Sequence, residues 1–418
     1  MTLRTDVRFR RWIPYVSVLI VYLVIEGTCY LGLLLVQKHF RLSYSPNLLE
    51  LSENQKRSLK EFLNTKKGQY IRQDSLLGWV SFSEANSAGM RDDREYEKLP
   101  PPSIIRASAF GDSFTYGSDV ALGDTWEKQL TGLEPLIEVL NYGVGAYGLD
   151  QAYLRYIQVG TEYSPHIVFI GYMSENIARN VNVFRPFYST SYGNEIFTKP
   201  RFKMREGKLI LLKNPIATLE DHEDFLLHDR AVLAKIGEND YHYQTRYKQG
   251  AVDFLPTVRL TKMFWSAIKQ NVFNPPIFNR RGMYNVESEA YEVTLKIFDA
   301  FYSKVLENGA LPIIVIFPDR NDQELSRQKQ TRRYTPLLNY FRTQKYLFID
   351  TLDALEPYES RHTIKELTRA WGHYSPLGNK IIAEYILGRL KAWHLTNLSK
   401  VEESIQVERN HVGLARNR

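Results

Sequence analysis

Two residues in this sequence have the chemistry of an acyl-transfer site. Ser113 lies in the segment Gly-Asp-Ser that directly follows the apolar run Ile104–Phe110, and His373 lies in Gly-His-Tyr-Ser-Pro, ahead of a predicted helix. A serine hydroxyl attacks a carbonyl carbon when an adjacent imidazole accepts its proton. The pair therefore predicts a nucleophile and a general base, provided that the fold brings them together. Glycine, aspartate and serine are also common turn residues, so Gly-Asp-Ser alone also fits an ordinary turn.

Two further segments add hydrogen-bond donors to this chemistry. Asn141–Gly148, with the sequence NYGVGAYG, contains three glycines, which let backbone N–H groups approach a ligand closely. Asn176 follows the apolar run Ile167–Gly171, and its side chain is a donor for the same crevice. A flexible connection is the alternative interpretation of the glycine segment.

The elements that must position these residues are short apolar runs alternating with helical patterns. Near-continuous apolar runs of strand length predict a parallel sheet that is covered by helices on both faces. Ligands bind at the carboxyl ends of the strands in such sheets, where Ser113 and Asn176 would lie. Five runs fit this description: Ile104–Phe110, Ile137–Leu140, Ile167–Gly171, Ile313–Phe317 and Tyr346–Ile349.

One interval is too long for the crossover that joins neighbouring parallel strands. Such a unit needs about 30 residues, whereas far more lie between Asn176 and Ile313. We therefore interpret residues 181–285 as an inserted cap within a domain that spans 103–395. Residues 37–102 are predicted to be a stalk and linker, and the polar residues 396–418 a disordered tail.

In their order along the chain, the four segments resemble the SGNH/GDSL hydrolase family, which is related to polysaccharide O-acyl esterases and acetyltransferases. The resemblance covers residues 104–176 and 310–392. It implies a five-stranded, doubly wound, flavodoxin-like sheet and a Ser113 nucleophile with His373 as its base. It also implies an oxyanion site formed by the N–H groups of Ser113 and Gly143 and by the side chain of Asn176.

The sequence departs from the family pattern in two places. The third segment usually contains Gly-x-Asn or Asn-Asp, where this chain has Glu175-Asn176, so Asn176 is assigned by adjacency. The last segment usually has an aspartate two or three residues before the histidine, and Trp371 and Ala370 occupy those positions. A backbone carbonyl, or an acid from elsewhere such as Asp350, would have to orient the histidine.

The N-terminal region predicts a membrane anchor. Residues 12–36 form an apolar segment with one charge, Glu26, which is long enough to span a bilayer. A cleaved signal peptide is the alternative, but the apolar stretch is too long for one and no small-residue cleavage site follows. Four arginines within residues 1–11 predict a cytoplasmic tail, and hence an exported body on the periplasmic or extracellular side. Glu26 would be a tolerated charge or a contact with a partner.

Composition excludes several other classes. The chain has 418 residues, a net charge of +7 and one cysteine, Cys29, which excludes a disulfide scaffold and cysteine-based zinc sites. The basic residues concentrate beside the apolar segment rather than on the body, which argues against nucleic-acid binding. His222 and His228 are six residues apart and fall on different helix faces, which argues against a metal site. No cofactor is predicted.

The resemblance implies hydrolysis or transfer of an O-acyl group, and the anchored, exported setting indicates an acylated cell-surface glycan as the substrate. The missing aspartate leaves open a catalytically silent glycan-binding or assembly protein of the same fold. A membrane-proximal lipase or esterase is the third possibility, because the anchor would hold the domain near lipid.

Overall fold

The computed structural model describes residues 4–40, 50–65, 71–81, 84–189, 195–246, 252–272, 276–279, 281–329, 331–359, 363–370 and 372–416. The strands are β1 Ile71–Asp74, β2 Gly78–Ser81, β3 Ile105–Phe110, β4 Ile137–Asn141, β5 Ile167–Met173, β6 Arg201–Arg205, β7 Lys208–Leu212, β8 Leu311–Phe317 and β9 Phe348–Asp350. The helices are α1 Arg4–Phe40, α2 Glu53–Thr65, α3 Ser113–Tyr116, α4 Trp126–Leu133, α5 Leu149–Val159, α6 Asn176–Arg179, α7 Arg185–Tyr188, α8 Leu219–Leu227, α9 Asp229–Gly237, α10 Tyr241–Arg246, α11 Pro256–Val272, α12 Glu289–Glu307, α13 Arg320–Lys329, α14 Thr335–Gln344, α15 Leu352–Glu359, α16 Ile364–Leu367, α17 Pro376–Ala392 and α18 Leu398–Arg416.

Five strands form one parallel sheet in the order β4-β3-β5-β8-β9. All five predicted runs are strands, and the doubly wound α/β prediction is confirmed. Alternate residues of each strand point to opposite faces. Ile314 and Ile316 enter a core with α5 and α12, whereas Ile313 and Val315 enter a second core with α4 and α17. The sheet is therefore buried on both sides.

Residues 37–102 do not form a stalk and linker where the structure describes them. Leu59 and Phe62 on α2 are buried, and the Phe62 ring packs on Phe197 at 5.1 Å. Trp79 on β2 is buried and its Nε1 donates to the carbonyl of Gly145 at 3.1 Å. In the sequence these apolar side chains are surrounded by polar residues. Because they are buried, the described part of this region packs as part of the body.

The predicted disordered tail is also wrong for most of its length, because α18 occupies Leu398–Arg416. Val401 and Ile405 lie four residues apart on one face of α18 and are buried in the second core. Tyr302 on α12 donates to Glu408 at 2.9 Å, and Arg409 donates to the carbonyl of Leu306 at 2.8 Å. Val401 and Ile405, with Leu398 packed beside them, dock this helix on the second core.

The predicted insertion, residues 181–285, contains the β6–β7 hairpin and helices α7 to α11 between β5 and α12. The helix that follows it is α12, which begins after the N-cap Ser288. At the other end of the chain, α1 contains a segment, Trp12–Leu35, that is long and apolar enough to cross a membrane. Within the described residues it is the one helix that meets this test.

Candidate active site

Ser113 is the first residue of α3, a single helical turn at the carboxyl end of β3. Asp112 caps this turn, because its side chain accepts the N–H of Phe114 at 2.9 Å. Gly111 brings the chain so close to Thr115 that a Cβ would lie 2.1 Å from the Thr115 hydroxyl oxygen. Glycine is therefore required before Asp112, and the sharp turn leaves Ser113 8% exposed.

The glycine segment holds α3 against the end of β4. A Cβ on Gly143 would lie 2.3 Å from the backbone nitrogen of Tyr116, so only glycine permits this contact. Asn141 joins the two segments: its Nδ2 donates to the carbonyl of Thr115 at 2.8 Å and its Oδ1 accepts the N–H of Gly143 at 2.9 Å. The predicted oxyanion donor Gly143 N–H thus already has a side-chain acceptor in this structure.

His373 lies beside the turn that carries Ser113. The imidazole ring packs edge-on against Phe114, the residue after Ser113, with ring centroids 5.3 Å apart. A chain neighbour of Ser113 therefore contacts His373. The following segment is organised as expected, because Ser375 caps α17 by accepting the N–H of Gly378 at 3.1 Å.

Asp119 supplies the carboxylate that the sequence pattern lacks. Its Oδ2 lies 2.7 Å from Nδ1 of His373. Asp350, the candidate from the sequence, contacts Arg332 and Tyr334 instead, at 2.5 and 2.9 Å. Ala370 has no carboxylate and Trp371 lies outside the described residues. Because Nδ1 of His373 is paired with Asp119, Nε2 is the ring nitrogen that is left for other groups.

The loop that carries Asp119 contains residues with positive φ angles and is held by hydrogen bonds from Arg91. Gly117 and Asp119 have φ angles of 75° and 67°, and only the glycine adopts this region without strain. Arg91, which is 3% exposed, donates to the carbonyls of Tyr116, Gly117 and Val120 at 2.7, 2.5 and 2.8 Å. These carbonyls flank Asp119 on both sides, so Arg91 fixes the position of the loop.

Asn176, the third oxyanion candidate, is the first residue of α6 and is buried below the same turn. Its Nδ2 donates to Oδ2 of Asp112 at 3.1 Å, and its Oδ1 has no hydrogen-bond partner among the described residues. Arg179 lies 3.7 Å from the same carboxylate. Burial raises the pKa of Asp112, and the charge of Arg179 opposes this rise.

Glu175, at the other departure from the family pattern, contacts Tyr188 and Arg179. It accepts hydrogen bonds from Tyr188 and, at 3.2 Å, from Arg179. Burial raises its pKa, but the charge of Arg179 and the Tyr188 hydroxyl outweigh that effect and lower the pKa below its ordinary value. Glu175 is thus suited to holding Arg179 in place as a carboxylate.

No group of three or more histidine, cysteine, aspartate or glutamate side chains in the described part of the chain could hold a metal ion. His222 is buried and packs against the rings of Phe62 and Phe197, at centroid distances of 4.8 and 5.9 Å. His228 instead pairs with Asp224 at 2.7 Å on an exposed face. His222 thus contributes to the packing of α8 against α2.

Comparison with solved structures finds a lipolytic protein of the G-D-S-L family from Desulfitobacterium hafniense, with 15% identity and a TM-score of 0.34 over 68% of this chain and 97% of that one. The chain is similar to G-D-S-L proteins. A second member, from Veillonella parvula, has 11% identity and a TM-score of 0.32 over 68% and 96% of the two chains. A catalytic mutant of an acetylxylan esterase from Geobacillus stearothermophilus has 12% identity and a TM-score of 0.33 over 69% and 94%. No protein-family model and no curated protein matches the sequence.

The sequence pattern singles out neither Asp119 nor Arg91. Asp119 lies in a polar loop, Ser118-Asp119-Val120, with no motif around it. Arg91 is far from Ser113 in the sequence and falls in a region that reads as a linker. The one signal for Asp119 in the sequence is that it follows Ser113 by six residues, which is close enough for its side chain to reach the same crevice.

Proposed function

We propose that the protein is a serine-dependent ester hydrolase or O-acyltransferase in which Ser113, His373 and Asp119 act together. The observation that carries the proposal is the 2.7 Å contact between Asp119 and Nδ1 of His373, beside the turn that begins with Ser113. This arrangement matches the logic of a catalytic triad, in which a carboxylate fixes the tautomer and orientation of the histidine.

The proposed reaction begins when Ser113 Oγ attacks the carbonyl carbon of an ester while Nε2 of His373 accepts the hydroxyl proton. The tetrahedral intermediate then collapses, the alkoxide leaves with that proton, and the acyl group remains on Ser113. A water or a sugar hydroxyl next attacks the acyl carbonyl carbon while His373 accepts its proton. Collapse of the second intermediate breaks the bond to Ser113 Oγ, which takes the proton back from His373. Asp119 stabilises the imidazolium formed in each half-reaction.

The proposed oxyanion site comprises the backbone N–H of Ser113, the N–H of Gly143 and the side chain of Asn176. The first-turn position of Ser113 supports the first donor, because N–H groups at the start of a helix have no acceptor within it. The N–H of Gly143 would exchange its present contact with the neutral amide oxygen of Asn141 for the charged oxygen, because charge-assisted hydrogen bonds are the stronger ones. The Nδ2 of Asn176 has a second hydrogen to donate while its bond to Asp112 is kept.

The proposed setting is the outer side of a membrane, with α1 as the anchor and residues 1–11 in the cytoplasm. An acylated cell-envelope glycan is the substrate class that this setting favours. A membrane-impermeant maleimide tests the orientation in intact cells, using Leu99→Cys, a 72% exposed position on the body, in a Cys29→Ser background. Labelling from outside is expected, whereas labelling only after lysis would place the body in the cytoplasm.

A burst assay tests the activity. The full chain in detergent is mixed with p-nitrophenyl acetate, with Ser113→Ala and His373→Ala as matched variants. A stoichiometric burst that both variants lose is the expected result, and added oligosaccharides that accelerate turnover would identify a transferase. The absence of a burst from a folded wild-type chain would favour the catalytically silent alternative.

A further inference from the structure

The insertion carries an exposed apolar surface beside the anchor. It consists of Val252 and Phe254 in the turn before α11, and Phe264, Trp265 and Ile268 on α11, which are 49 to 70% exposed. Side chains of this size rarely form a contiguous exposed set on a soluble protein. A nonpolar environment is therefore expected to cover this surface.

Helix α11 packs directly against α1. The Cβ position of Gly32 lies 3.5 Å from the side chain of Leu260, which is van der Waals contact between the two helices. Leu33 and Met263 are buried together at 6 and 3% exposure, with Leu260 packed against them. The surface of α11 is thus continuous with the apolar surface of α1.

Glu26, the one charge of the apolar segment, is held by the start of α11. Its carboxylate accepts the N–H of Thr257 at 3.0 Å and the hydroxyl of Thr257 at 2.5 Å. Helix α11 begins with Pro256, and the N–H groups of its first turn need acceptors from outside the helix. Glu26 is therefore an N-cap supplied by another helix, and the cap also satisfies a charge that is costly within a bilayer.

The contacts also fix the depth of α11. Glu26 lies nine residues before Leu35, which is about 14 Å along the helix axis at 1.5 Å per residue. Thr257 lies beside Glu26, whereas Met263 lies beside Leu33, so α11 runs outward alongside α1. The turn that contains Phe254 is then the deepest part of this element, and Ile268 lies nearer the surface.

Three charged side chains next to this surface, among those the structure describes, have partners within the element. Asp253 is 2% exposed and lies 2.5 Å from Nζ of Lys262. Arg259 donates to the backbone carbonyl of Asp253 at 2.5 Å. Paired charges are a form in which ionisable groups are tolerated near lipid.

We propose that the turn at 252–255 and helix α11 form a second membrane element, a re-entrant helix that lies in the body-side leaflet and is capped by Glu26. The proposal rests on the proposed anchoring of α1. The insertion of the catalytic domain is thereby fixed to the bilayer at a second point, which holds the domain at one orientation to the membrane rather than on a free tether.

Lipid contact can be measured at single sites. In a Cys29→Ser background, a fluorophore is attached to cysteines placed at Phe254, Trp265 and Ile268 in the full chain, reconstituted in phosphatidylcholine–phosphatidylglycerol vesicles. Lipids with a nitroxide either near the headgroup or deep in the chain quench it on contact. Leu23, 59% exposed on α1, is the anchor control, and Leu99 is the matched exposed position on the body.

The expected result is quenching at all three positions that is several-fold above that at Leu99. Phe254 should respond more to the deep nitroxide and Ile268 to the shallow one. Quenching at Leu23 but not at the three α11 positions would overturn the second element and leave the anchor intact. Loss of quenching at Leu23 as well would overturn both. A shallow-only response at Phe254 would place α11 on the surface and contradict the re-entrant arrangement.

A variant of the cap provides the second measurement. Glu26→Leu makes α1 more apolar, so it cannot weaken insertion of the anchor, but it removes the acceptor for Thr257. Deep quenching at Phe254 should then fall while quenching at Leu23 is unchanged. Unchanged deep quenching at Phe254 would show that Glu26 does not hold α11 in place.

Discussion

Asp119 Oδ2 lies 2.7 Å from Nδ1 of His373, so the carboxylate of the candidate triad comes from the loop that follows the nucleophile turn. The family pattern places this acid just before the histidine. In this chain the acid and the nucleophile instead share one loop-and-turn segment, residues 111–120. The departure at Ala370 and Trp371 therefore does not by itself leave His373 without an orienting acid.

Removal of the Asp119 charge should reduce turnover without unfolding the chain. We expect Asp119→Asn to lower kcat by a factor on the order of 10³ to 10⁴, because the amide favours the wrong tautomer of His373. Hydrolysis of p-nitrophenyl acetate by the full chain measures this loss. Asp350→Asn is the matched control, since Asp350 contacts Arg332 and Tyr334, and it should retain activity. Equal losses in both variants would contradict the assignment of Asp119.

Arg91 should act on catalysis through Asp119. A lysine at this position cannot reach all three carbonyls that Arg91 binds, and displacement of a catalytic group by about 1 Å can cost 10²-fold in rate. We expect Arg91→Lys to lower kcat tenfold to 10²-fold, roughly, with KM little changed.

The double variant separates positioning from a general structural role. If Arg91 acts by placing Asp119, adding Arg91→Lys to Asp119→Asn should cause little further loss. The kcat/KM of the two single variants and the double variant measures this further loss, and circular dichroism verifies that the variants are folded. Fully additive losses would mean that Arg91 supports activity by another route.

Asn176 is expected to stabilise the tetrahedral intermediate. Loss of one oxyanion donor costs about 10² to 10³ in kcat, which is roughly 3–4 kcal/mol. Asn176→Ala should lose this amount and keep a similar KM, because the interaction strengthens only when the oxygen becomes charged. A rise in KM at unchanged kcat would instead assign Asn176 to ground-state binding.

Asp350 gives the stability of the fold a defined pH dependence. Burial, which outweighs the opposing charge of Arg332, raises its pKa from 3.8 to about 6. The folded chain then binds the proton more tightly than the unfolded chain. The contribution of Asp350 to the free energy of unfolding therefore falls as the pH rises from about 4 to about 6, by roughly 3 kcal/mol.

Asp350→Asn removes this titration but keeps an acceptor oxygen for Tyr334 and Leu352. Arg332 retains Asp353 and Glu356 at 2.7 and 2.9 Å. In urea unfolding of the full chain in detergent, the variant should gain stability relative to the wild type between pH 4 and pH 7. A difference that does not change with pH would contradict the raised pKa.

The sheet could be predicted from the sequence because its strands are buried on both faces. Such strands read as continuous apolar runs, and the observed β3, Ile105–Phe110, differs from the prediction by one residue. The amphipathic α12 and the cap at Ser375 follow equally local rules. Ser113, Gly143, Asn176 and His373 could be proposed because each directly follows or precedes such an element.

The remaining features depend on contacts between distant segments. Asp119 pairs with a residue 254 positions away, and Arg91 reaches the same loop from a region that reads as a linker. Helix α18 docks through apolar side chains that include Leu398, Val401 and Ile405, which are interspersed with polar and charged residues in the sequence. Local composition does not encode such partners, so the carboxylate beside His373, the contacts of Arg91 and the docking of α18 emerge only from the fold.

Covalent capture of the nucleophile tests the central claim most directly. The full chain is incubated with a fluorophosphonate, and the modified residue is located by peptide mass spectrometry. We predict modification of Ser113, lost in His373→Ala, slowed in Asp119→Asn and unchanged in Asp350→Asn. Modification of a different hydroxyl, or an equal rate at Ser113 in the wild type and His373→Ala, would contradict a site in which His373 and Asp119 activate Ser113.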